Sequence, residues 1–503
     1  MTVATIPEPS PEVQAFLKAP KKMLIGGRRV DAVTGETLDV VDPATNRELC
    51  HVPRGGEADI NQAVQAARQA FESGPWRRLT PSERGRMIWK LADLIEQHGE
   101  EFAQLETLDN GKPLAVARAA DVPLTVDHFR YYAGLATKIH GETLDLSVPY
   151  APGAEFLDYT RREPMGVVGQ IIPWNFPLLM AAWKLGVALA TGNCVVLKPA
   201  EQTPLSALRL ADLIQEAGFP DGVVNVVTGY GDAGAALAEH PDVDKVAFTG
   251  STEVGHEIVK ASAGNLKRVT LELGGKSPAI VFPDADMDIA ATGVAGAIFF
   301  NHGQCCAAGS RLLVHKKVYQ ELVERVADQA RKIKVGPGLA PDTEMGPLVS
   351  REQQERVLGY IESGKQEGAQ VLCGGGPGSG DLESGCFVQP TVFDHINNQM
   401  KIVREEIFGP VLAAAPFEDI EEIVAQANDS IYGLAASVWT QDINKAHKVA
   451  HRLKAGTVWV NCHNIFDANA PFGGYKQSGY GREMSLHAVE SYTQVKNVIV
   501  QLH

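Results

Sequence analysis

From residue 166 to 274 short apolar runs alternate with helical segments, and this rhythm limits the possible folds more than any other feature of the chain. The runs GVVGQII, CVVLKP, VVNVVTG, KVAFTG and VTLEL read as strands. Between them NFPLLMAAWKLGVALATGN, LSALRLADLIQEAG, DAGAALAEH and EVGHEIVKASA read as helices. Strands without polar alternation are buried on both faces, which requires a parallel sheet covered by helices on either side. A second alternation begins at residue 310. There RLLVHK, PVLAAAPF, LAASVWT and TVWVN are the strands, and VYQELVERVADQARKIKV, IEEIVAQAND and NKAHKVAHRLKAG are the helices. Two α/β domains are predicted, and 503 residues suffice for them at roughly 150 residues per domain.

The flanks read differently. Residues 1–20 bear several prolines and read as a loosely held arm. Residues 56–140 are mostly helical in pattern, with Pro81 near one helix start and Gly111 at a helix end. Residues 146–160 suggest two extended segments around Pro152-Gly153. The Gly/Ser-rich stretch 374–385 is a surface loop. The last residues, YTQVKNVIVQLH, read as a strand with no local partner.

Composition excludes some roles. A formal net charge of -15 argues against nucleic acid, which needs clustered Lys and Arg. The seven cysteines are odd in number and lack a disulfide framework, which points to a reducing, cytoplasmic compartment. No CxxC pair occurs, which argues against structural zinc. The N-terminus lacks the basic region and apolar run of a signal peptide, and no stretch is long and apolar enough to span a bilayer.

Three turns are candidates for holding a nucleotide. TGYGDAG places Gly229, Gly231 and Gly234 in G-x-G-x-x-G spacing between strand and helix, with Asp242 and Asp244 downstream. A tight turn without any ligand explains that spacing equally well. In AFTGSTEVG, residues Gly250, Ser251 and Thr252 open a helix, where free N–H groups and hydroxyls suit a phosphate. Plain N-capping accounts for the same residues. Lys198 and Glu201 lie just past a strand's C-terminal end, where open α/β sheets bind ligands. Glu201 can accept ribose hydroxyls and would repel a 2′-phosphate, which favours NAD over NADP.

Chemistry-bearing residues fall nearby. Glu272 ends an apolar strand, where partial desolvation raises a carboxyl towards the range of a general base. For an isolated Glu, pairing at a strand end is the commoner role. Asn175, between prolines in PWNFP, offers a fixed amide donor of the kind an oxyanion needs, or simply a helix cap. Cys305 and Cys306 are adjacent in FFNHGQCCAAGSR, flanked by small residues that let a substrate approach. Residue types and spacing leave these two thiols equal.

The stretches PWNFP, KPAEQTP, FTGSTEVG, LELGGKSP, NHGQCCAAGSR, EEIFGPV and PFGGYKQSG, in this order, resemble the NAD(P)-dependent aldehyde dehydrogenase family over roughly residues 20–500. The resemblance implies an α/β aldehyde dehydrogenase fold, with two Rossmann-like doubly wound domains and a small β oligomerisation element. The implied NAD-binding domain is 20–145 with 165–274, the catalytic domain 275–478, and the oligomerisation element 146–164 with 488–503. The family motif Gly-Gln-x-Cys, here Gly303, Gln304, Cys305 and Cys306, implies Cys306 as nucleophile and Cys305 as bystander. Glu272 matches the general base. Asn175 matches the oxyanion donor, working with the Cys306 backbone N–H. Ile171, Trp174, Lys198, Glu201, Gly231, Gly234, Gly250, Ser251, Gly255, Glu406 and Phe408 match the cofactor contacts. Within that set Lys198 and Glu201 belong to the adenosine ribose, and Glu406 to the nicotinamide ribose. One departure stands out: the GYGDAG turn is a residue shorter than the form usual in animal members.

The resemblance also implies a substrate. Phe176, Met180 and Trp183 recur on one helical face, a pattern more often core than pocket. In the family the matching positions line the substrate tunnel, together with Phe300, Phe466 and Phe472, which implies an apolar or aromatic aldehyde. KIHGETLDLSVP, ASVWTQ and DANAPFGG are similar to phenylacetaldehyde dehydrogenases. Betaine-aldehyde or broad-specificity oxidation is the alternative, since an aromatic box also holds a quaternary ammonium. Intact Cys306, Glu272 and Asn175 argue against a nonenzymatic structural role, and the Glu272 base argues against transfer to coenzyme A. A homotetramer, a dimer of dimers, is expected, with the C-terminal strand extending a neighbour's sheet. Some members hold a monovalent cation near the positions of Asp109, Val41 and Gln202, but no metal is counted among the site residues.

Overall fold

The computed structural model describes residues 7–502. Residues 1–6 of the expected arm and His503 lie outside the described residues. The rest of the arm is not loose. Ser10 caps a helix, Pro11–Lys18, by accepting the Val13 N–H, and Val13 is buried. The run Ser-Pro-Glu supplies the cap, the pre-set first-turn proline and the first-turn acid together.

Two large sheets carry the molecule. The eight-stranded sheet has five parallel strands at its centre: Arg268–Glu272, Lys245–Thr249, Val167–Ile171, Cys194–Lys198 and Val224–Val226, in that spatial order. Gly479–Tyr480 adds antiparallel to one side, and Met23–Ile25 with Arg28–Val30 to the other. The seven-stranded sheet runs Gln370–Cys373, Thr391–Asp394, Val411–Phe417, Arg311–His315, Pro278–Val281, Ala435–Trp439, Thr457–Val460. All but its first strand are parallel. The four central strands Val167–Ile171, Cys194–Lys198, Val224–Val226 and Lys245–Thr249 are buried at every residue, as their apolar sequences require. The fold is α/β, with two Rossmann-like sheets and small antiparallel ones.

A five-residue link, LGGKS (273–277), joins strand Arg268–Glu272 of one sheet to strand Pro278–Val281 of the other. It carries the chain past the ends of both sheets, and the cavity described below opens there.

The C-terminal strand does have a partner in its own chain. Thr493–Leu502 pairs antiparallel with Glu155–Pro164 over ten residues, and Thr143–Leu144 extends that small sheet. The partner lies more than 300 residues away in sequence, too far for local patterns to reveal. Residues 146–160 are correspondingly not two strands around Pro152-Gly153. They form a turn leading into one long strand. A hairpin, Thr37–Asp42 with Arg47–Pro53, stands apart as a two-stranded sheet. Among the described residues no helix is long and apolar enough to cross a membrane.

Candidate active site

A cavity of about 1330 Å³ opens where the two sheets meet. Its lining includes Trp174, Asn175, Phe176, Met180, Trp183, Gly250, Ser251, Glu272, Phe300, Cys306, Glu406, Phe408, Phe466 and Phe472. These residues, singled out from the sequence and drawn from widely separated segments, therefore converge on one space, and Thr252 and Cys305 join them. Ile171, Lys198, Glu201, Gly231, Gly234 and Gly255 are not part of that lining.

The twin thiols sit on a turn of unusual backbone. Asn301, His302 and Gly303 have φ of 48°, 59° and 70°, three consecutive left-handed residues. Asn and Gly tolerate this region better than most residues. A Cβ at Gly303 would collide with the Gly409 backbone, so the turn needs glycine there on two counts. Cys305 and Cys306 follow, and both border the cavity. Cys305 is only 4% exposed and belongs to the core, whereas Cys306 is half-buried. Contact with Cys305 pushes the Cys306 thiol well above its ordinary range, and burial and the Glu406 and Glu272 carboxylates add to the effect.

Asn175 is held by other asparagines. Its Nδ2 donates to the Gln304 carbonyl at 3.1 Å, one residue before the thiol pair. Asn301 Nδ2 donates to the carbonyls of Asn175, at 3.0 Å, and Gln304, at 3.1 Å. Asn110 Nδ2 donates to the carbonyls of Trp174, at 2.9 Å, and Asn175, at 3.3 Å. Pro177 then opens the helix Pro177–Thr191, which is buried along its whole length. Sequence reading missed Asn110 and Asn301. The signal for Asn301 was the run Asn-His-Gly, which favours a left-handed turn. Asn110 gave none.

Glu272 ends its strand and is buried, with Oε2 unpartnered. Its carboxyl is raised well above the usual range, first by burial and then by Glu483, against the opposing pull of Lys184 and Arg482. Lys184 and Glu483 are themselves a buried pair at 2.5 Å. Glu272 thus holds a proton more tightly than an exposed carboxylate does.

At the opposite side of the link, Glu406 Oε1 accepts the Gly275 N–H at 2.8 Å. Burial raises its carboxyl to about 7, although that hydrogen bond and Lys276 pull the other way. Gly274 has no room for a side chain beside this carboxylate. Phe408 adopts φ of 60° and packs edge-on against Trp174, centroids 5.1 Å apart. Gln353 Nε2 donates to the Phe408 carbonyl at 2.8 Å and steadies that strained residue. Gln353, Arg356 and Tyr432 line the cavity here and had no motif to mark them.

The residues outside the lining gather in two places. A Cβ on Gly234 would lie 3.5 Å from Lys198 Cδ and 3.8 Å from Ile171 Cδ1, so these three surround one small space. Lys198 Nζ lies 3.8 Å from Glu201 and donates to the Pro199 carbonyl at 2.7 Å, while burial lowers its pKa. Gly231 opens the adjoining helix Gly231–Glu239. The second place is the turn at Gly250. Ser251 caps the helix Thr252–Ser262, and a Cβ on Gly255 would come within 2.6 Å of Leu273.

The aromatic residues form two groups in the cavity wall. Phe176 and Phe300 stack with centroids 6.0 Å apart. Trp183, Phe466 and Phe472 pack mutually at 5.4 to 6.0 Å. Met180 stands on the same helix face as Trp183. Ala120, Leu124 and Asn464 complete the wall and escaped the sequence reading. Asp109 is buried and accepts the Leu205 N–H at 3.0 Å, with its carboxyl pushed well up by burial and Glu106.

The family model described as "Aldehyde dehydrogenase family" matches residues 30–498. The mitochondrial aldehyde dehydrogenase of Homo sapiens is 52% identical over 500 residues, covering 99% of this chain and 94% of that one. The phenylacetaldehyde dehydrogenase of Pseudomonas fluorescens is 52% identical over 486 residues, 96% of each chain. An NAD+ complex of aldehyde dehydrogenase from Bacillus cereus has a TM-score of 0.96 at 56% identity, covering 99% of both chains. The chain belongs to the aldehyde dehydrogenase family and is an oxidoreductase of that class.

Proposed function

We propose that this protein oxidises an apolar, aromatic aldehyde such as phenylacetaldehyde to its carboxylic acid, with NAD+ as acceptor. The observation that carries the reading is the convergence of Cys306, Glu272 and Asn175 on one cavity walled by Phe176, Trp183, Phe300, Phe466 and Phe472. Rings of this kind favour an apolar or aromatic substrate. The phenylacetaldehyde activity named for the Pseudomonas relative supports the same choice.

Cys306 is the nucleophile and Cys305 its packing neighbour. Water takes the Cys306 proton, and the resulting thiolate adds to the aldehyde carbon. The new alkoxide takes hydrogen bonds from the Asn175 amide and the Cys306 backbone N–H, an oxyanion hole. A nicotinamide held in this groove would supply the two-electron acceptor for the hydride, and oxidation leaves a thioester on Cys306. Glu272 then takes a proton from water, the hydroxide adds to the thioester carbonyl, and the Cys306 thiolate leaves as the acid forms.

The residues present fit NAD+. The space at Gly234, which a side chain would fill, suits an adenosine beside Ile171, Gly231, Lys198 and Glu201. The Gly250–Ser251–Gly255 helix start suits the pyrophosphate. Glu406, with Phe408 and Trp174 beside it, would hold the nicotinamide ribose. The negative charge of Glu201 disfavours a 2′-phosphate.

On this reading residues 20–145 with 165–274 form the NAD-binding domain and 275–478 the catalytic domain. Residues 146–164 and 488–503 form the oligomerisation element of a homotetramer. Seven free cysteines suit a cytoplasmic enzyme.

A panel of aliphatic, aromatic and quaternary aldehydes, scored by kcat/KM with NAD+ and with NADP+, tests the proposal. Arylacetaldehydes with NAD+ should lead, and acid should form without coenzyme A. A lead for betaine aldehyde would overturn the pocket reading.

A further inference from the structure

We propose that His447 and His451 form a surface site for a divalent transition metal of the Ni2+, Cu2+ and Zn2+ class, distinct from the active site. Both residues belong to the segment HKVAH, which ends the helix Ile443–Ala450. Two histidines four apart on one helix stand above one another on the same face, the spacing by which helical zinc sites present two imidazoles. His451 is the C-cap residue, but its backbone is still helical, with φ of -66° and ψ of -21°. Its N–H donates to the His447 carbonyl at 3.0 Å, which fixes the one-turn relation. The two rings lie 6.0 Å apart between centroids and tilt 59° from each other. Both residues are exposed. An ion can reach them, with water completing its coordination.

The surroundings favour a cation more than the local sequence suggests. The site sits on the last turn of its helix, where unsatisfied carbonyls make the field negative. Lys445, Lys448 and Arg452 are the nearby cations in sequence. Lys445 is neutralised by Asp284 at 2.7 Å, and Arg452 is held by Glu421 through two bonds of 2.7 and 2.6 Å. Lys448 lies between the two histidines in sequence. Imidazole ligands select Ni2+, Cu2+ and Zn2+ over Mg2+ and Ca2+, which prefer oxygen. Another exposed histidine near potential ligands is His51, whose ring nitrogens lie 2.8 Å from Asp39 and 3.1 Å from Glu48. That cluster offers one imidazole and two carboxylates, where the helical pair offers two imidazoles.

Equilibrium dialysis of the full chain against Ni2+ tests the site, using wild type and the variants H447Q, H451Q and H51Q. Neither H447Q nor H451Q touches the cavity, so aldehyde oxidation serves as the check that each variant is folded. H447Q and H451Q should each weaken one Ni2+ per chain by about tenfold or more, since losing a ligand costs at least as much as losing a ligand's hydrogen-bond partner. H51Q should bind as wild type does. Electron paramagnetic resonance with Cu2+ adds a direct readout, with coupling to two imidazole nitrogens in wild type and one in H447Q or H451Q. If both helix variants bind Ni2+ and couple to Cu2+ as wild type does, or if only H51Q loses the ion, the proposal is wrong.

Discussion

Cys305 and Cys306 share a turn and a sequence environment, and their difference lies in how each meets solvent. Cys305 packs into the core at 4% exposure, while Cys306 reaches the cavity half-buried. Cys306→Ala should therefore abolish NADH formation, and Cys305→Ala should keep most of it. The opposite pattern in steady-state assays would reassign the nucleophile. On the proposed mechanism Glu272 sets the pH response. Its carboxyl is raised by burial and by Glu483, and only the ionised form can take a proton from water. As pH falls through its elevated pKa the carboxylate is lost, so thioester hydrolysis should slow at the acid side and recover at the alkaline side. Glu272→Gln should lower hydrolysis by about 100-fold or more, the usual worth of a general base. It should also flatten that profile, as read by single-turnover release of acid.

At the level of elements, the helix Pro177–Thr191 does two jobs. One face presents Met180 and Trp183 to the cavity. Another carries Lys184 to its buried pair with Glu483, both side chains at 2% exposure or less. Lys184→Ala leaves the Glu483 carboxylate buried without its partner, which typically costs about 3–5 kcal/mol. Thermal unfolding should fall accordingly, and a variant as stable as wild type would contradict the assignment. The same helix also illustrates what a sequence discloses. It was legible because it lies between strands apolar on every face, a pattern only a covered parallel sheet explains. Met23–Ile25 and Arg28–Val30 were not, because two three-residue strands leave no period to read. Pro278–Val281 escaped because it begins at the last residue of the motif LELGGKSP, whose chemistry drew the reading. Among the residues that line the cavity, those in motifs were legible: Asn175, Glu272, Cys306 and Glu406. Gln353, Asn464 and Asn110 reach the site only through tertiary folding, so no local spacing could announce them.

For the whole molecule, the small sheet of Glu155–Pro164 and Thr493–Leu502 poses the main physical question. It sits outside both large sheets and buries little of its apolar surface. Val495 is 59% exposed, Ile499 56% and Val500 41%, with Leu157 at 46% on the paired strand. Exposed apolar residues concentrated on one element are costly for a solitary chain and mark an interface. Val495 and Ile499 are four apart on one strand and so share a face. A second copy of the chain covering that face would bury them and match the tetramer proposed above. Ile499→Asp would then put a carboxylate into a dry contact, where an unpaired charge is strongly disfavoured. Sedimentation velocity should show the variant dissociating to dimers or monomers at concentrations where wild type stays tetrameric. Because Ile499 lies near the end of the chain's own strand pair and outside the cavity lining, each dissociated subunit should keep its fold by circular dichroism. A variant that remains tetrameric would mean that this sheet faces solvent and that the subunits meet elsewhere.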